Sequence, residues 1–419
     1  MIKKIQISNY KSIDTLDFQL GRINVLIGEN GAGKSNILEA IALAGAAAAN
    51  KLDNEFLTSR GIRVTSPEYM RPAFPEFDAL ATIKIEIITK QYILSVNLTN
   101  DNTAYSKWSA QSKITANIET LIHNIDMLIT KKKSAFENSQ LNLCKNEIEN
   151  FCTKKSADKN TTYLTLDISS DNYSDYLSTD PQTMWMLAKI FVKHPLSTDI
   201  QKFLIYSPEI SALRTFQREG QIEPLGINGE GLLKLLSVLS SPEYSDSLNA
   251  IRKSLQILGW FKDINITEPA PFSGSRIEIK DRYLDETRRY FDQLSTNEGF
   301  LFLLFYFALF STDLTPKFFA IDNIDASLNP KLCEKLMSEL IALAVKHDKQ
   351  VIFTTHNPAI LDGLNLDDDE QRLFVVSRNK NGATRLKRVI KPPTKADERP
   401  TRLSELFLRG VLGGLPKGF

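Results

Sequence analysis

The stretch GENGAGKS, Gly28 to Ser35, constrains this chain more than any other. It has the spacing G-x-x-x-x-G-K-S, and its flanks give that spacing a context. After a turn at Gly21-Arg22, residues Arg22 to Ile27 read as a short apolar strand running into it. Behind it, NILEAIALAGAAAA carries apolar residues at helical spacing. A strand, a glycine loop and a helix N-terminus aim backbone N–H groups and the helix dipole at an anion. Gly31 and Gly33 let the backbone come close, and Asn30, Ala32 and Asn36 complete the cradle. Lys34 is expected to reach the β- and γ-phosphates of ATP, and the Ser35 hydroxyl to take a position on Mg²⁺. A chance glycine turn would lack the strand and the helix.

The bulk numbers exclude more than they propose. The chain has 419 residues, enough for two or three domains' worth of core at 42% hydrophobic. Its 51 basic and 50 acidic side chains leave a formal charge of +1, so contact with DNA would have to come from a local patch. Cys144, Cys152 and Cys333 show no pairing or metal spacing, which suits a reducing cytoplasm. The N-terminus has no signal-peptide core. The longest apolar run, Phe300 to Phe310, is about half the ~20 residues of a membrane helix. It reads as a buried helix, with a cytoplasmic protein and no membrane partner expected.

Residues 80–98 alternate as two strands with a turn near Lys90. Leu52 to Phe77 reads as a loop whose Arg60, Arg63 and Arg71 either approach phosphate or DNA or lie solvated. From about Ser106 the chain becomes rich in Lys, Asn and Ser and weakly helical, which predicts a helical insertion or arm over 106–205. It would include a solvated Lys131-Lys132-Lys133 face and a helix around Pro181 to Val192. A connecting α/β segment over 206–282 holds helices at GEGLLKLLSVL and Ser245 to Leu258, then strands at 263–267 and 275–280.

The last part supplies the second half of the site. KFFAID is an apolar strand ending in Asp322, and QVIFTT is another ending just before His356. Two buried parallel strands that bring an Asp and a His beside a phosphate loop make a nucleotide site. In LSTNEG, Ser295 and Glu298 have the spacing of a helix capping box. A hairpin around Asn381-Gly382 has a basic second strand (Arg385, Lys387, Arg388, Lys391), followed by a short helix at RLSELFLRGV.

The block IDNIDASLN closely resembles the "DE-x-DAALD" Walker B and D-loop segment of SMC-type and related ABC ATPase heads. The resemblance implies that Asp322 is the Walker B aspartate of the Mg²⁺ shell. It places Ser327-Leu328-Asn329 on the D-loop and makes His356 the switch histidine. LSTNEG stands where these families carry LSGGE, which gives Ser295 the task of reaching the γ-phosphate held by a second protomer. ISNYKSI, with Lys11, is similar to the "NF-K/R-S-F" segment before their phosphate loop. Two departures stand out. Thr296 and Asn297 replace the signature glycines, and Asn323 replaces the glutamate that activates water. An amide takes no proton at neutral pH, and losing a general base costs about 10²–10⁴ in rate. Asp325 and His356 are the remaining candidates for that role, although Asp325 already matches a family position of its own, and slow turnover is expected.

The fold expected is α/β: an ABC/SMC-type P-loop ATPase head built from both chain ends, 1–105 and 283–419, around a largely helical insertion. Compact heads of this kind resemble OLD-like and other AAA-labelled ATPases of prokaryotic anti-phage defence. The resemblance implies a homodimer, or a larger even-numbered assembly, closed around ATP through its heads. It also implies a switch subunit controlling a separately encoded effector such as a nuclease or toxin. An SMC-like DNA repair ATPase and a transporter ATP-binding subunit are the alternatives, and DNA stays open as a partner.

Overall fold

The computed structural model describes residues 1–75, 77–130, 163–167, 199–216, 220–267, 276–285, 290–391 and 401–414, with scattered positions between 139 and 148. The chain opens with β1 (Ile2–Tyr10), β2 (Ile13–Gln19) and β3 (Ile23–Gly28), then α1 (Lys34–Ala48) and α2 (Asn54–Ser59). Next come β4 (Ile83–Thr89), β5 (Tyr92–Thr99), β6 (Ser109–Asn117), α3 (Ile118–Thr130), β7 (Tyr163–Asp167) and β8 (Ile205–Tyr206). Short helices α4 (Ile210–Leu213), α5 (Leu232–Leu239) and α6 (Ser245–Ser254) lead to β9 (Phe261–Thr267), β10 (Arg276–Asp281) and β11 (Phe291–Asp292). The remainder is α7 (Glu298–Phe310), β12 (Phe318–Ile321), α8 (Pro330–Lys346), β13 (Gln350–Thr354), β14 (Gln371–Arg378), β15 (Thr384–Val389) and α9 (Leu403–Leu408).

Among the described residues these strands make three sheets. One is antiparallel in the order β2-β1-β4-β5-β6-β7, and a small one runs β11-β10-β9. The third, β15-β14-β3-β13-β12-β8, is parallel except for β15 at its edge. Five of its six strands come from the two chain ends, as expected, and β8 from mid-chain; β3 lies between β13 and β14, more than three hundred residues later. All residues of β3, β12 and β13 are buried, the pattern of strands covered on both faces.

Alternation along these strands divides two cores. Leu26, Ala320 and Ile352 face the α1 side, while Val25, Phe319, Val351 and Phe353 face α7. Helix α1 is wedged between the parallel and the large antiparallel sheets, which explains its alanines: small side chains let both approach. Helix α7 is buried from Phe300 to Phe310, as its composition predicted, with Phe310 stacked on Phe353 and edge-on to Phe319.

Two expectations need correction. The stretch read as helical insertion begins with a strand, because Ser112, Ile114 and Ala116 alternate inward and β6 pairs along β5; β7 then pairs with β6. Only at Ile118 does a helix start, with Leu121 and Ile125 buried. The stretch read as a loop after α1 contains α2, capped by the Asp53 carboxylate on the Phe56 N–H. The Lys131-Lys132-Lys133 run and the helix expected around Pro181 to Val192 lie outside the described residues. No helix among the described residues is long and apolar enough to cross a membrane.

Candidate functional site

The phosphate loop sits at the carboxyl end of the parallel sheet, where β3 runs out. Gly28 has φ 152°, and a Cβ there would lie 2.1 Å from the Val376 carbonyl of neighbouring β14. Gly33 has φ 108°, and a Cβ would meet the Thr384 hydroxyl at 2.2 Å. Both glycines are therefore set by what packs behind the loop. At Gly31 the added carbon would meet nothing within 4 Å, so that side of the loop is open. The β14–β15 hairpin braces the loop from behind. Arg378 Nε donates to Gly31 O (2.8 Å), and the Thr384 hydroxyl donates to Ala32 O (3.0 Å). Thr384 also shares a 2.6 Å hydrogen bond with Ser12, whose Oγ accepts from Asn36 Nδ2 (2.7 Å).

Lys34 is buried and folds over its own loop, its ammonium donating to Gly28 O (2.9 Å) and Glu29 O (3.1 Å). Burial pushes its pKa down, and Asp322 and Asp325 oppose that shift. Ser35 Oγ donates to Asp322 Oδ2 across 3.3 Å, joining the first turn of α1 to the end of β12. The other Asp322 oxygen accepts the Thr354 hydroxyl, and the Asp322 N–H donates to Tyr206 O (2.8 Å). A hydroxyl and a carboxylate side by side are hard oxygen donors suited to Mg²⁺. With the open face at Gly31 and Lys34 beside it, the donor set fits a metal-bound triphosphate.

His356 follows β13 and is exposed; burial of part of the ring, then Lys34, lowers its pKa, against Asp325 and Asp322. Asn323 is exposed too, in the left-handed region at φ 54°, its N–H donating to the Thr354 hydroxyl (2.9 Å). Asparagine tolerates that conformation better than most residues, which gives its presence a backbone reason besides the missing carboxylate. Asp325 Oδ1 accepts the Thr355 hydroxyl at 2.6 Å.

Lys11 sits at the tip of the β1–β2 hairpin, its ammonium bound to the Glu39 carboxylate and to Arg63 O (2.9 Å). Glu39 is 1% exposed and also accepts from Arg63 Nε (2.5 Å) and the Tyr10 hydroxyl (3.2 Å). Glu39, Arg378, Thr384 and Ser12 were not read from the sequence. One signal was available: Glu39 is the lone carboxylate in an otherwise apolar helix, one turn past Ser35, and a buried carboxylate requires partners.

The capping reading of Ser295 is corrected. Helix α7 starts at Glu298 and is capped by Asn297, whose Oδ1 accepts from Phe300 N (2.8 Å). Asparagine caps as well as serine, and the helix begins two residues later than a Ser295 cap requires. Ser295 is exposed, its N–H donating to Asp292 Oδ1 (2.9 Å), and Glu298 accepts instead from Ser327 Oγ (3.2 Å). Arg71 belongs to neither phosphate nor solvent. It is buried against Trp108 and donates to Ala81 O (2.8 Å), Asn102 Oδ1 (2.7 Å) and Asn100 O (2.6 Å). On the basic strand, Arg388 pairs with Asp369 and Lys391 with Asp367, while Arg385 and Lys387 are exposed.

The family described as AAA ATPase domain matches residues 1–361. A crystal structure of an Smc head bound to the C-winged helix domain of ScpA superposes with a TM-score of 0.51 at 14% identity, covering 93% of this chain and 98% of that one. The OLD nuclease of Thermus scotoductus is 42% identical over 43 residues, so the match spans 10% of this chain and 8% of that protein. The phosphate loop, the two strand ends and the extent of the family match lead to one conclusion: this chain belongs to the AAA ATPase domain family and has the fold of an SMC-type ATPase head.

Proposed function

We propose that this ATPase binds ATP with Mg²⁺ and works as a slow switch, its heads pairing around the nucleotide to control a separately encoded effector in anti-phage defence. The observation that carries the reading is the meeting of Ser35 and Asp322 across 3.3 Å, beside Lys34, from opposite ends of the chain. In this reading Asn30 to Asn36 cradle the phosphates, Lys34 neutralises them, and Ser35 and Asp322 hold the metal. Bound there, Mg²⁺ would polarise the phosphoryl oxygens. Lys11 and His356 flank the site, and Ser295, exposed ahead of α7, is free to face a second head. With an amide at Asn323, cleavage is slow, the ATP-bound state is long-lived, and nucleotide stabilises the closed pair by mass action. A head-type fold bound to another protein chain, as in the Smc head with ScpA, is the kind of docking the effector would use.

The test is mass in solution, with and without Mg²⁺-ATP, of the chain purified together with the products of neighbouring genes. Pairing that depends on nucleotide, with a toxin or nuclease co-eluting, is expected. Heads that bind ATP yet show no nucleotide-dependent contact would overturn the switch. The exposed Arg385 and Lys387 favour a second reading, an SMC-like repair ATPase, in which DNA co-purifies and the two charge reversals release it.

A further inference from the structure

We infer that Asp325 is a positioning residue that fixes the His356 segment, and that it leaves proton abstraction to other groups. The inference rests on the ATP-site reading above and concerns how that site is held in register. Strands β12 and β13 end side by side, and two carboxylates after β12 each accept a hydroxyl from the β13 end: Asp322 from Thr354, Asp325 from Thr355. Both threonines are fully buried. The Thr355 hydroxyl, having given its proton to Asp325 at 2.6 Å, accepts from Asn357 N at 3.0 Å. The same Asp325 oxygen faces the His356 N–H at 3.4 Å. Asn357 in turn accepts from Ala359 N (3.0 Å) and starts the turn at Pro358–Gly363.

His356 is thus the exposed residue between two anchored neighbours, and Asp325 holds the first anchor. Its half-buried carboxylate also acts on the core beneath it. After burial, it is the next cause that raises the pKa of Tyr306, and it adds to the burial that pushes the Cys333 thiol up to about 12. A general base needs an oxygen open to the attacking water. Here one oxygen is occupied by a hydroxyl and an amide from the segment that carries the histidine. Two residues on, Ser327 ties the same turn to Glu298 at the start of α7, so the turn links the histidine segment to the signature helix.

Asp325→Asn and Asp325→Ala in the full chain separate the roles, because an amide oxygen still accepts a hydroxyl but takes no proton. Three quantities are read: amide exchange across 354–357, ATP affinity by calorimetry, and single-turnover cleavage of Mg²⁺-ATP with protein in excess. The Asn variant should match wild type in all three. The Ala variant should exchange roughly tenfold faster at those amides and cleave roughly tenfold slower, with affinity unchanged, the scale of one lost hydrogen bond to a charged group. Thr355→Val should reproduce the Ala variant, and it serves if Asp325→Ala fails to fold. Cleavage lost in Asp325→Asn with exchange untouched would overturn the proposal and make Asp325 the base. Unchanged exchange in Asp325→Ala would overturn it as well. A wild type that binds no ATP would instead sink the site reading, and the exchange data would still decide the anchor.

Discussion

Two buried lysines stand at opposite ends of the parallel sheet, and they are buried for different purposes. Lys34, at the carboxyl end, bonds only two carbonyls of its own loop, has two carboxylates nearby and lies beside an open face. Lys349, at the start of β13, is fully buried. Its ammonium donates to Thr312 O (2.7 Å), Thr315 O (3.0 Å), Thr315 Oγ1 (2.9 Å) and Pro316 O (3.2 Å). It holds the turn between α7 and β12 shut. On the ATP-site reading one cation is held for an external anion, while the other is spent on three carbonyl oxygens and a hydroxyl. A buried lysine is informative only once its acceptors are known.

The comparison breaks most easily by deleting each cation. Lys349→Met should destabilise the fold by several kcal/mol, since each stranded buried acceptor costs about 1–3 kcal/mol, while the surviving folded fraction binds ATP as before. Lys34→Ala should do the reverse, abolishing ATP binding in calorimetry with a urea midpoint near wild type. Equal effects of the two on stability would erase the distinction.

A smaller effect concerns pH. Burial pushes the Lys349 pKa down to about 8, below its value in the unfolded chain. Between those two values the unfolded state binds the extra proton, so this group's contribution to stability grows as pH rises and is lost as pH falls through about 8. The stability difference between wild type and Lys349→Met, from urea titrations, should widen from pH 7.5 toward pH 9.5, read as roughly the window set by a pKa shift. A flat difference would mean that the four oxygens, rather than burial, govern the ammonium.

At the other end of the sheet, Asn323→Glu should raise the rate of ATP cleavage. It should also cost about 1 kcal/mol, because glutamate tolerates the left-handed backbone poorly. Asn323→Gly should fold as well as wild type without the gain in rate. Wild-type turnover near the ~10 s⁻¹ of ordinary enzymes, with no gain from the glutamate, would remove the slow-switch reading.

The smallest signal is protonic. The His356 pKa is lowered in the free protein, and bound phosphate would raise it, so binding near pH 6 should take up a fraction of a proton. Calorimetry in buffers of different ionisation enthalpy measures that uptake, and His356→Ala should abolish it.

The sequence made the head legible where chemistry is local. The loop spacing, the apolar strands before Asp322 and His356, and the Phe300–Phe310 run each carry their reading within a few residues. What it hid depends on pairing across distance. Ser109–Asn117 looks like polar insertion until β5 lies beside it, and Arg71 looks solvated until Trp108 and three oxygens surround it. The Ser295 cap failed for a subtler reason: Asn297, two residues on, caps equally well, and tertiary packing of α7 decides between them.

The central place of β3 has a consequence for the protein's birth. Its two neighbours, β13 and β14, leave the ribosome last among the strands flanking the loop. At about 5–20 residues per second, roughly 20–70 s separate the appearance of Gly28 from that of Val376, which packs behind it. A nascent chain released before Gln350 presents the GKS sequence without β13, β14 and the Thr384 hydroxyl that brace it. The loop's own residues are thus made first, and what holds them in shape is made last.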